Sequence, residues 1–392
     1  MKTSTLLATG LAFTWPFLFT SPAFGQGDLN PPPGPPAPTM KSLDQIEPRI
    51  DVRTLPGDAD NQFIIRAPGS YYLSANITGV ANKNGIAVLA SQVTIDLNGF
   101  ALIGVQFSRH GILVPAAIRN LAVHHGTICT WGQSGINAIF ATRSQFNHLH
   151  ASDNGITGIF AGSSCSFSDC LAIGNDTEGI AVKGSNSVFR SCVCNENNIG
   201  IWVSGSGAAI TDCTTSMNRS RGIEVLSGAC TISKCTSNDN ALTGINTGPG
   251  STVQGCTTAG NHVDGIAAGF ACTISGCTSR GNAGSGITVG NACQVTGNTC
   301  DANAGTALNS LGASISLGAG IDAPGDTCRI DGNSATANKI GIAASPGNLI
   351  IRNSARVNTT QNYSLSGNST YGPIVTGSGE ITTTSPWANF SY

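Results

Sequence analysis

Residues 271–289 read ACTISGCTSRGNAGSGITV, and this stretch contains the unit that repeats through the second half of the chain. Cys272, Ile274 and Cys277 alternate with small polar residues, which is typical of short strands with one buried face. Asn282 follows at a turn, and Gly286 opens the next short strand. The stretch therefore predicts a unit of three short strands and three turns.

Asparagines recur at the position of Asn282 with gaps of 20 to 22 residues and a single gap of 35. They are Asn154, Asn175, Asn197, Asn218, Asn240, Asn261, Asn282, Asn303, Asn338 and Asn358. A period held this closely predicts a solenoid in which each unit stacks on the next as one coil. We expect the side-chain amides to hydrogen-bond to their copies above and below, as like side chains do in stacked sheets.

Apolar residues keep the same period and predict the core. One column holds Phe146, Phe167, Phe189, Ile210, Ile232, Val253, Ile274, Val295, Ile330 and Ile350. A second column holds Cys170, Cys192, Cys213, Cys235, Cys256 and Cys277, and a third alternates Cys with Ser and Ala. Small residues of this kind indicate buried, free thiols. Pairing of neighbours such as Cys170 and Cys192 stays open, because stacked strands stand about 4.8 Å apart.

A Gly-Ile step marks one strand of each coil. Twelve such steps predict at least twelve coils. The glycines are Gly85, Gly111, Gly135, Gly155, Gly179, Gly200, Gly222, Gly244, Gly265, Gly286, Gly320 and Gly341. The long gap from Gly286 to Gly320 predicts a loop insertion around residues 306–317.

The inward Ile after Gly, the turn Asn of each coil and the three strands per coil resemble the right-handed parallel β-helix of the pectate-lyase-like superfamily. The resemblance covers residues 63–363 and implies an all-β solenoid with caps at both ends. Superfamily members include pectate lyases, polygalacturonases, alginate epimerases and phage tailspikes. The resemblance also implies that a ligand would lie along the outer face of one sheet.

The chain ends are predicted to have other roles. Residues 1–25 have the positive start, apolar stretch and small-residue site of a signal peptide, cleaved after Gly25. Residues 26–62 combine a proline-rich linker with an N-terminal cap, residues 63–363 form the β-helix, and residues 364–392 form a C-terminal cap. We therefore expect an exported protein, secreted, periplasmic or at the cell surface, with no transmembrane segment in the mature chain.

Composition excludes some partners. The formal net charge is −2, and the Lys and Arg residues are scattered along the chain. Nothing in the sequence forms the basic stripe that neutralises a run of phosphates, so we expect no nucleic-acid partner.

The candidate site lies at the residues that follow each Gly-Ile step and should face outward. They are Ala87, Leu113, Asn137, Thr157, Ala181, Trp202, Glu224, Asn246, Ala267, Thr288, Asp322 and Ala343. Trp202 and Glu224 stand out because most of the others are small or uncharged. Glu178, Arg221, Asp264 and Lys183 flank the same strands.

This patch suits a glycan. Trp202 offers an apolar face to a sugar ring, and Arg221 and Lys183 could pair with uronate carboxylates while Glu224 accepts hydrogen bonds. For hydrolysis, Glu224 could pair with Glu178 or Asp264. For β-elimination, Arg221 or Lys183 could serve as the base.

The enzyme signatures of the superfamily are missing. The chain has no adjacent Asp pair as in polygalacturonases and no Asp-Pro-His as in alginate epimerases, and Arg219 and Arg221 do not match the Arg-x-x-Arg element of pectate lyases. The leading interpretation is a non-catalytic polysaccharide-binding or cell-surface protein. The alternatives are a lyase or hydrolase acting on an acidic glycan, and a pure scaffold. No cofactor is indicated, although calcium occurs in related lyases.

Histidines form a second cluster. His110, His124, His125, His148 and His150 lie close together in sequence, and His148 should face Asp169 on the next coil. The pair could act as a general base or as a weak metal site, but surface decoration is the simpler interpretation. No dedicated metal site is expected, since Cys-x-x-Cys and paired Cys/His motifs are absent.

Overall fold

The repeat of the sequence forms a parallel β-solenoid. The structure, a computed structural model, describes residues 49–306, 316–377 and 379–392. The predicted signal peptide and proline-rich linker lie outside the described residues. Arg49–Tyr392 forms one compact unit.

One sheet has fourteen strands, one from each coil, and neighbouring strands are parallel. Its strands are Asn61–Ile65, Asn84–Val88, Ile112–Leu113, Ile136–Ala138, Ile159–Ala161, Glu178–Val182, Ile199–Val203, Ile223–Val225, Ile245–Thr247, Ile266–Ala268, Ile287–Val289, Ala319–Ala323, Ile340–Ala344 and Gln361–Leu365. We call it the fourteen-strand sheet.

The other two strands of each coil belong to a 28-strand sheet, here called the long sheet. Its strands are Ile50–Asp51, Gly69–Tyr72, Ile77–Thr78, Val93–Asp96, Ala101–Ile103, Leu121–Cys129, Gln145–Ser152, Ser166–Ser168, Leu171–Ile173, Val188–Arg190, Val193–Asn195, Ala209–Thr211, Thr214–Ser216, Thr231–Ser233, Thr236–Asn238, Thr252–Gln254, Thr257–Ala259, Thr273–Ser275, Thr278–Arg280, Gln294–Thr296, Thr299–Asp301, Arg329–Asp331, Ser334–Thr336, Leu349–Ile351, Ser354–Arg356, Thr370–Tyr371, Ile374–Thr376 and Asn389–Ser391. Ile118–Arg119 and Ala141–Thr142 form a separate two-stranded sheet, and Val52–Thr54 is a 3₁₀ helix. The prediction of an all-β solenoid with three strands per coil is confirmed.

The asparagine ladder is present and continuous. Asn240 donates from Nδ2 to Oδ1 of Asn261 at 2.9 Å, and its own Oδ1 accepts from Nδ2 of Asn218 at 2.8 Å. The same link repeats from Asn154 to Asn358 and ends on Asn362. Since the ladder asparagines up to Asn338 are buried, each link satisfies polar atoms that have no access to water.

In several coils the glycine of the Gly-Ile step is required by this ladder. A Cβ atom on Gly244 would lie 2.7 Å from Nδ2 of Asn261 and 2.8 Å from the carbonyl oxygen of Gly265. Both distances are shorter than real Cβ contacts, so a side chain here would force the ladder or the next coil to move. The Gly-Ile step and the Asn column are therefore two parts of one packing unit.

The ladder begins at Asn154 because Trp131 takes its place in the preceding coil. The indole is buried and donates from Nε1 to the carbonyl oxygen of Leu102 at 3.1 Å. The Trp131 backbone N–H donates to Oδ1 of Asn154 at 3.2 Å. Without side chains, Gly85 and Gly111 leave space for the ring.

The core columns lie inside the coil as predicted. Phe146, Phe167 and Phe189 stack with ring centroids 5.3 and 4.8 Å apart, and the column continues through Ile and Val. All fourteen cysteines are free thiols; Cys129 is half-buried, and the others are buried. Burial raises the pKa of Cys194 and Cys300 well above the ordinary thiol value.

The ends of the described solenoid carry added strands. Ile50–Asp51 pairs with Gly69–Tyr72, and Val52 is fully buried behind it. At the other end, Asn389–Ser391 pairs with Ser354–Arg356, and Ile374–Thr376 pairs with it in turn.

Candidate functional site

The outward column of the fourteen-strand sheet differs from the predicted one in its fifth coil. The Gly-Ile step there is Gly158-Ile159 and not Gly155-Ile156. The strand begins at Ile159 and pairs Phe160 with Ala181. Thr157 therefore lies before the strand and is buried, and Ile156 is partly exposed in the turn. The ladder spacing contained the signal: in most coils the glycine follows its ladder asparagine by four residues, and Gly158 has that distance from Asn154.

The register of the Ile159–Ala161 strand places two aromatic rings on the outer face of the fourteen-strand sheet. Phe160 pairs in register with Ala181, which pairs with Trp202 on the following coil. The two rings meet over Ala181 edge to face, with centroids 6.5 Å apart and planes at 79°. Both rings are half-exposed, and Ala181 beneath them is buried. Trp202 is predicted from the sequence, whereas Phe160 is not.

Glu224 follows Trp202 in register but is not an exposed carboxylate as predicted. Its side chain is 8% exposed, and Oε1 accepts from Nη1 of Arg221 at 2.6 Å. The pairing follows from burial, because a carboxylate removed from water needs an opposite charge or several donors. Arg221 is thereby engaged by Glu224, which limits what it can offer to a ligand.

Glu178 and Asp264 are engaged by hydroxyl groups. Glu178 accepts from Thr157 at 2.8 Å and from Thr177 at 2.7 Å, both at Oε2. Asp264 accepts at Oδ1 from the Ser285 backbone N–H at 2.7 Å and from the Ser316 hydroxyl at 2.9 Å, and at Oδ2 from Thr288 at 3.0 Å.

Three of the charged residues directly precede the glycine of a Gly-Ile step, and the spacing of the coils sets the distances between them. Glu178, Arg221 and Asp264 occupy this position on every second coil. At about 4.8 Å per coil, Glu178 and Asp264 are roughly 19 Å apart. They cannot flank a single glycosidic bond, for which carboxyl groups stand about 5 to 10 Å apart.

Asp322 was placed in the outward column but was not chosen as a site residue. It pairs in register with Thr288, whose hydroxyl bonds Asp264. Burial, together with the negative charge of Asp264, raises the pKa of Asp322 to about 6. A carboxyl group whose pKa is raised toward neutral pH beside another carboxylate is a feature of acid–base sites. Sequence alone gave no sign of it, since the shift depends on burial.

Lys183 lies apart from the acids. It is exposed and borders a shallow cavity of about 370 Å³. The cavity is also lined by Ile139, Phe140, Thr142, Gly162, Ser163 and Gly184. Phe140 is 52% exposed, so the cavity combines one cation with one aromatic ring.

The histidines divide into two environments. His110 is largely buried, and burial lowers its pKa to about 4. Its Nδ1 accepts from the Ser134 backbone N–H at 3.2 Å, which gives it a structural role. His148 and Asp169 face each other as predicted, with Nε2 and Oδ2 3.8 Å apart, and both are exposed.

Several solved structures are similar to this chain in fold. The A-module of mannuronan C-5 epimerase AlgE6 from Azotobacter vinelandii matches at 15% identity, over 88% of this chain and 88% of that chain, with a TM-score of 0.47. A double mutant of the tailspike protein of E. coli bacteriophage HK620 matches at 13% identity, over 89% and 79%, with a TM-score of 0.50. The periplasmic alginate epimerase AlgG matches at 12% identity, over 88% and 82%, with a TM-score of 0.41. At such identities the likeness concerns the fold.

The described residues and the sequence were also compared with membrane-spanning helices, curated proteins and family models. Among the described residues, no helix has the length and apolar character needed to cross a bilayer. The search of curated proteins returns no match. The family described as right handed beta helix region matches residues 76–236 and 198–318. With its parallel coils and three strands per coil, the chain belongs to this right-handed β-helix family.

Proposed function

We propose that this protein binds a polysaccharide along the outer face of the fourteen-strand sheet and does not cleave it. The observation that supports the proposal is the pair of half-exposed rings, Phe160 and Trp202, held over the buried Ala181. Aromatic faces pack against the C–H faces of sugar rings, and the Trp202 N–H can reach a hydroxyl group.

The surroundings of the rings suit an extended ligand. Along the same column the following coils carry Asn246, Ala267 and Thr288, which are small or uncharged and half-exposed. A chain of sugars could therefore run along the coils without meeting a large side chain. The solved structures of similar fold include a periplasmic alginate epimerase and a tailspike mutant in complex with a hexasaccharide.

The state of the carboxylates favours binding over catalysis. Glu224 is buried against Arg221, while Glu178 and Asp264 accept hydrogen bonds from two or three protein groups each. A general base must have a lone pair directed at the proton it removes. Glu178 and Asp264 instead direct oxygens at hydroxyl groups of neighbouring coils, and Glu224 directs Oε1 at Arg221 of its own coil.

Binding is tested with a glycan array, followed by titration calorimetry on the best ligand. Trp202→Ala and Phe160→Ala should each weaken binding by between about twofold and tenfold, since a ring contact contributes about 0.5–1.5 kcal/mol. Phe270→Ala is the matched control, because Phe270 is 61% exposed outside this column. The proposal is wrong if no glycan binds, or if both ring variants bind as tightly as the unaltered protein.

A second candidate is a carbohydrate-active enzyme that uses Asp322 and Asp264. The raised pKa of Asp322 favours it, because a protonated carboxyl can donate to a leaving oxygen while a nearby carboxylate stays ionised. New reducing ends, or unsaturated uronate absorbing at about 230–235 nm, would reveal the activity. Asp322→Asn should then abolish it, whereas Trp202→Ala should mainly raise KM.

We further propose that the protein is exported. The proposal rests on the sequence of residues 1–25, with its apolar stretch and small residues before Gln26. Mass spectrometry of the protein recovered outside the cytoplasm should give a chain that begins at Gln26. Recovery of the uncleaved chain from the cytoplasm alone would contradict it.

A further inference from the structure

Three side chains that the glycan surface does not use converge on the long sheet. The Nδ1 atoms of His124 and His125 lie 3.0 Å apart, and Oδ1 of Asp96 lies 3.4 Å from the first and 3.5 Å from the second. Each residue thus directs one possible ligand atom at the same point.

The fold explains how the three meet. Asp96 ends the strand Val93–Asp96 and pairs in register with His124 on the next coil. Consecutive strand residues ordinarily point to opposite faces, but His125 has a φ of 59°. This left-handed bend interrupts the alternation, so that both imidazoles lie on one side. The same bend recurs on the following coils at His148 and Asp169.

The separations match those around a small metal ion. Two ligand atoms bound at about 2.0–2.1 Å to a tetrahedral ion lie about 3.3–3.4 Å apart. The observed triangle of 3.0, 3.4 and 3.5 Å is close to one face of such a tetrahedron. The fourth position faces outward on the side of His125, which is 56% exposed.

The carboxylate is held in place by its neighbours. Oδ1 of Asp96 accepts from the Asn98 backbone N–H at 2.9 Å, and Oδ2 accepts from Nη1 of Arg49 at 3.0 Å. Such outer contacts fix the orientation of a ligand group before the ion arrives. The Arg49 charge lowers the attraction for a cation, so the site should be weaker than a buried structural zinc site.

We propose that Asp96, His124 and His125 bind a divalent transition-metal ion of the zinc class. Two imidazoles and one carboxylate suit Zn²⁺, Co²⁺ or Ni²⁺ better than Ca²⁺, which takes six to eight oxygen ligands. The expectation of no metal site rested on missing Cys and His spacing motifs. Here the ligands come from two coils, which such motifs do not detect.

The test uses the mature chain without a polyhistidine tag. Titration calorimetry with Zn²⁺ should give one equivalent per chain, and Co²⁺ should produce visible d–d bands without thiolate charge transfer. His124→Gln, Asp96→Asn and His125→Asn should each lower the association constant at least about tenfold. Asn is chosen at His125 because it tolerates the left-handed bend.

His262→Ala is the control, because His262 is an exposed histidine elsewhere on the surface. It should bind Zn²⁺ as the unaltered protein does. Zn²⁺ should also raise the Tm of the unaltered protein and of the control but not of the three variants, which are first checked for folding by circular dichroism. Absence of binding, binding unchanged in His124→Gln, or Co²⁺ bands from thiolate would each overturn the proposal.

Discussion

At the scale of single residues, the carboxylate side chains differ in the charged groups that surround them. Glu224 is buried and accepts a hydrogen bond from Arg221 at 2.6 Å. Asp322 is instead affected by burial and by the negative charge of Asp264. One acid therefore has a guanidinium partner, whereas the pKa of the other is raised by burial and by a neighbouring carboxylate.

Asp322 makes the stability of the protein depend on pH. Its pKa is about 6 in the folded chain, whereas the ordinary value is 3.8. Its contribution to the free energy of unfolding is therefore fully present below the ordinary pKa and is lost as pH rises to about 6. Asp322→Asn should remove this loss and stabilise the protein at pH 7 by up to about 3 kcal/mol relative to the native chain. The relative gain should vanish near pH 3.5.

Guanidinium denaturation midpoints at pH 3.5 and pH 7 measure this difference. Asp326→Asn is a suitable control, because Asp326 lies in the turn after the same strand. An Asp322→Asn midpoint shift of equal size at both pH values would show that charge is not the cause.

At the scale of elements, the asparagine ladder joins coils that would otherwise be held by backbone hydrogen bonds and core packing. Asn240 contacts Asn218, Asn261 and Ser237 through its amide, and all these atoms are buried. Loss of one amide therefore affects three coils.

Asn240→Ala should destabilise the protein by at least about 2 kcal/mol, because it leaves buried donors and acceptors without partners. Asn358→Ala should cost less, since that residue lies near the end of the ladder and is half-buried. Thermal unfolding of both variants checks the order. Equal losses of stability in the two variants would mean that the burial of the asparagine does not determine its contribution.

Sequence predicted the elements that repeat and missed the features that occur once. The Asn, Phe and Cys columns were correctly placed because each is confirmed by many copies at one spacing. Phe160 was missed because Gly155-Ile156 imitates the step that Gly158-Ile159 makes. Trp131, the burial of Glu224 and the raised pKa of Asp322 depend on what neighbouring coils place around them, which no local pattern contains.

At the scale of the whole molecule, the last coil is covered by chain that returns to it. Asn389 donates from Nδ2 to the carbonyl oxygen of Ile350, accepts at Oδ1 from Asn353, and is fully buried. Phe390 donates its backbone N–H to the carbonyl oxygen of Asn353. The covering strand thus continues the sheet. It also continues a second series of side-chain links, in which Asn298, Asn333 and Asn353 each donate from Nδ2 to Oδ1 of the next asparagine.

Removal of residues 374–392 should make the protein associate end to end, because it uncovers a strand edge with unpaired backbone groups. Light scattering during size-exclusion chromatography should show dimers or larger species that grow with concentration. Ile381→Ser is the control, because Ile381 is exposed and lies outside the strands. A truncated chain that stays monomeric at high concentration would contradict this role.

The long sequence interval between Asn303 and Asn338 has a practical consequence, although most of the insertion predicted at 306–317 lies outside the described residues. The chain takes 35 residues from Asn303 to Asn338, yet their amides still meet at 2.8 Å, as in coils of 21 residues. Chain length between a ladder asparagine and the next glycine is therefore uncoupled from the stacking of the coils. The same junction on other coils offers engineering sites where foreign peptides could be displayed at intervals of about 4.8 Å along the stack of coils.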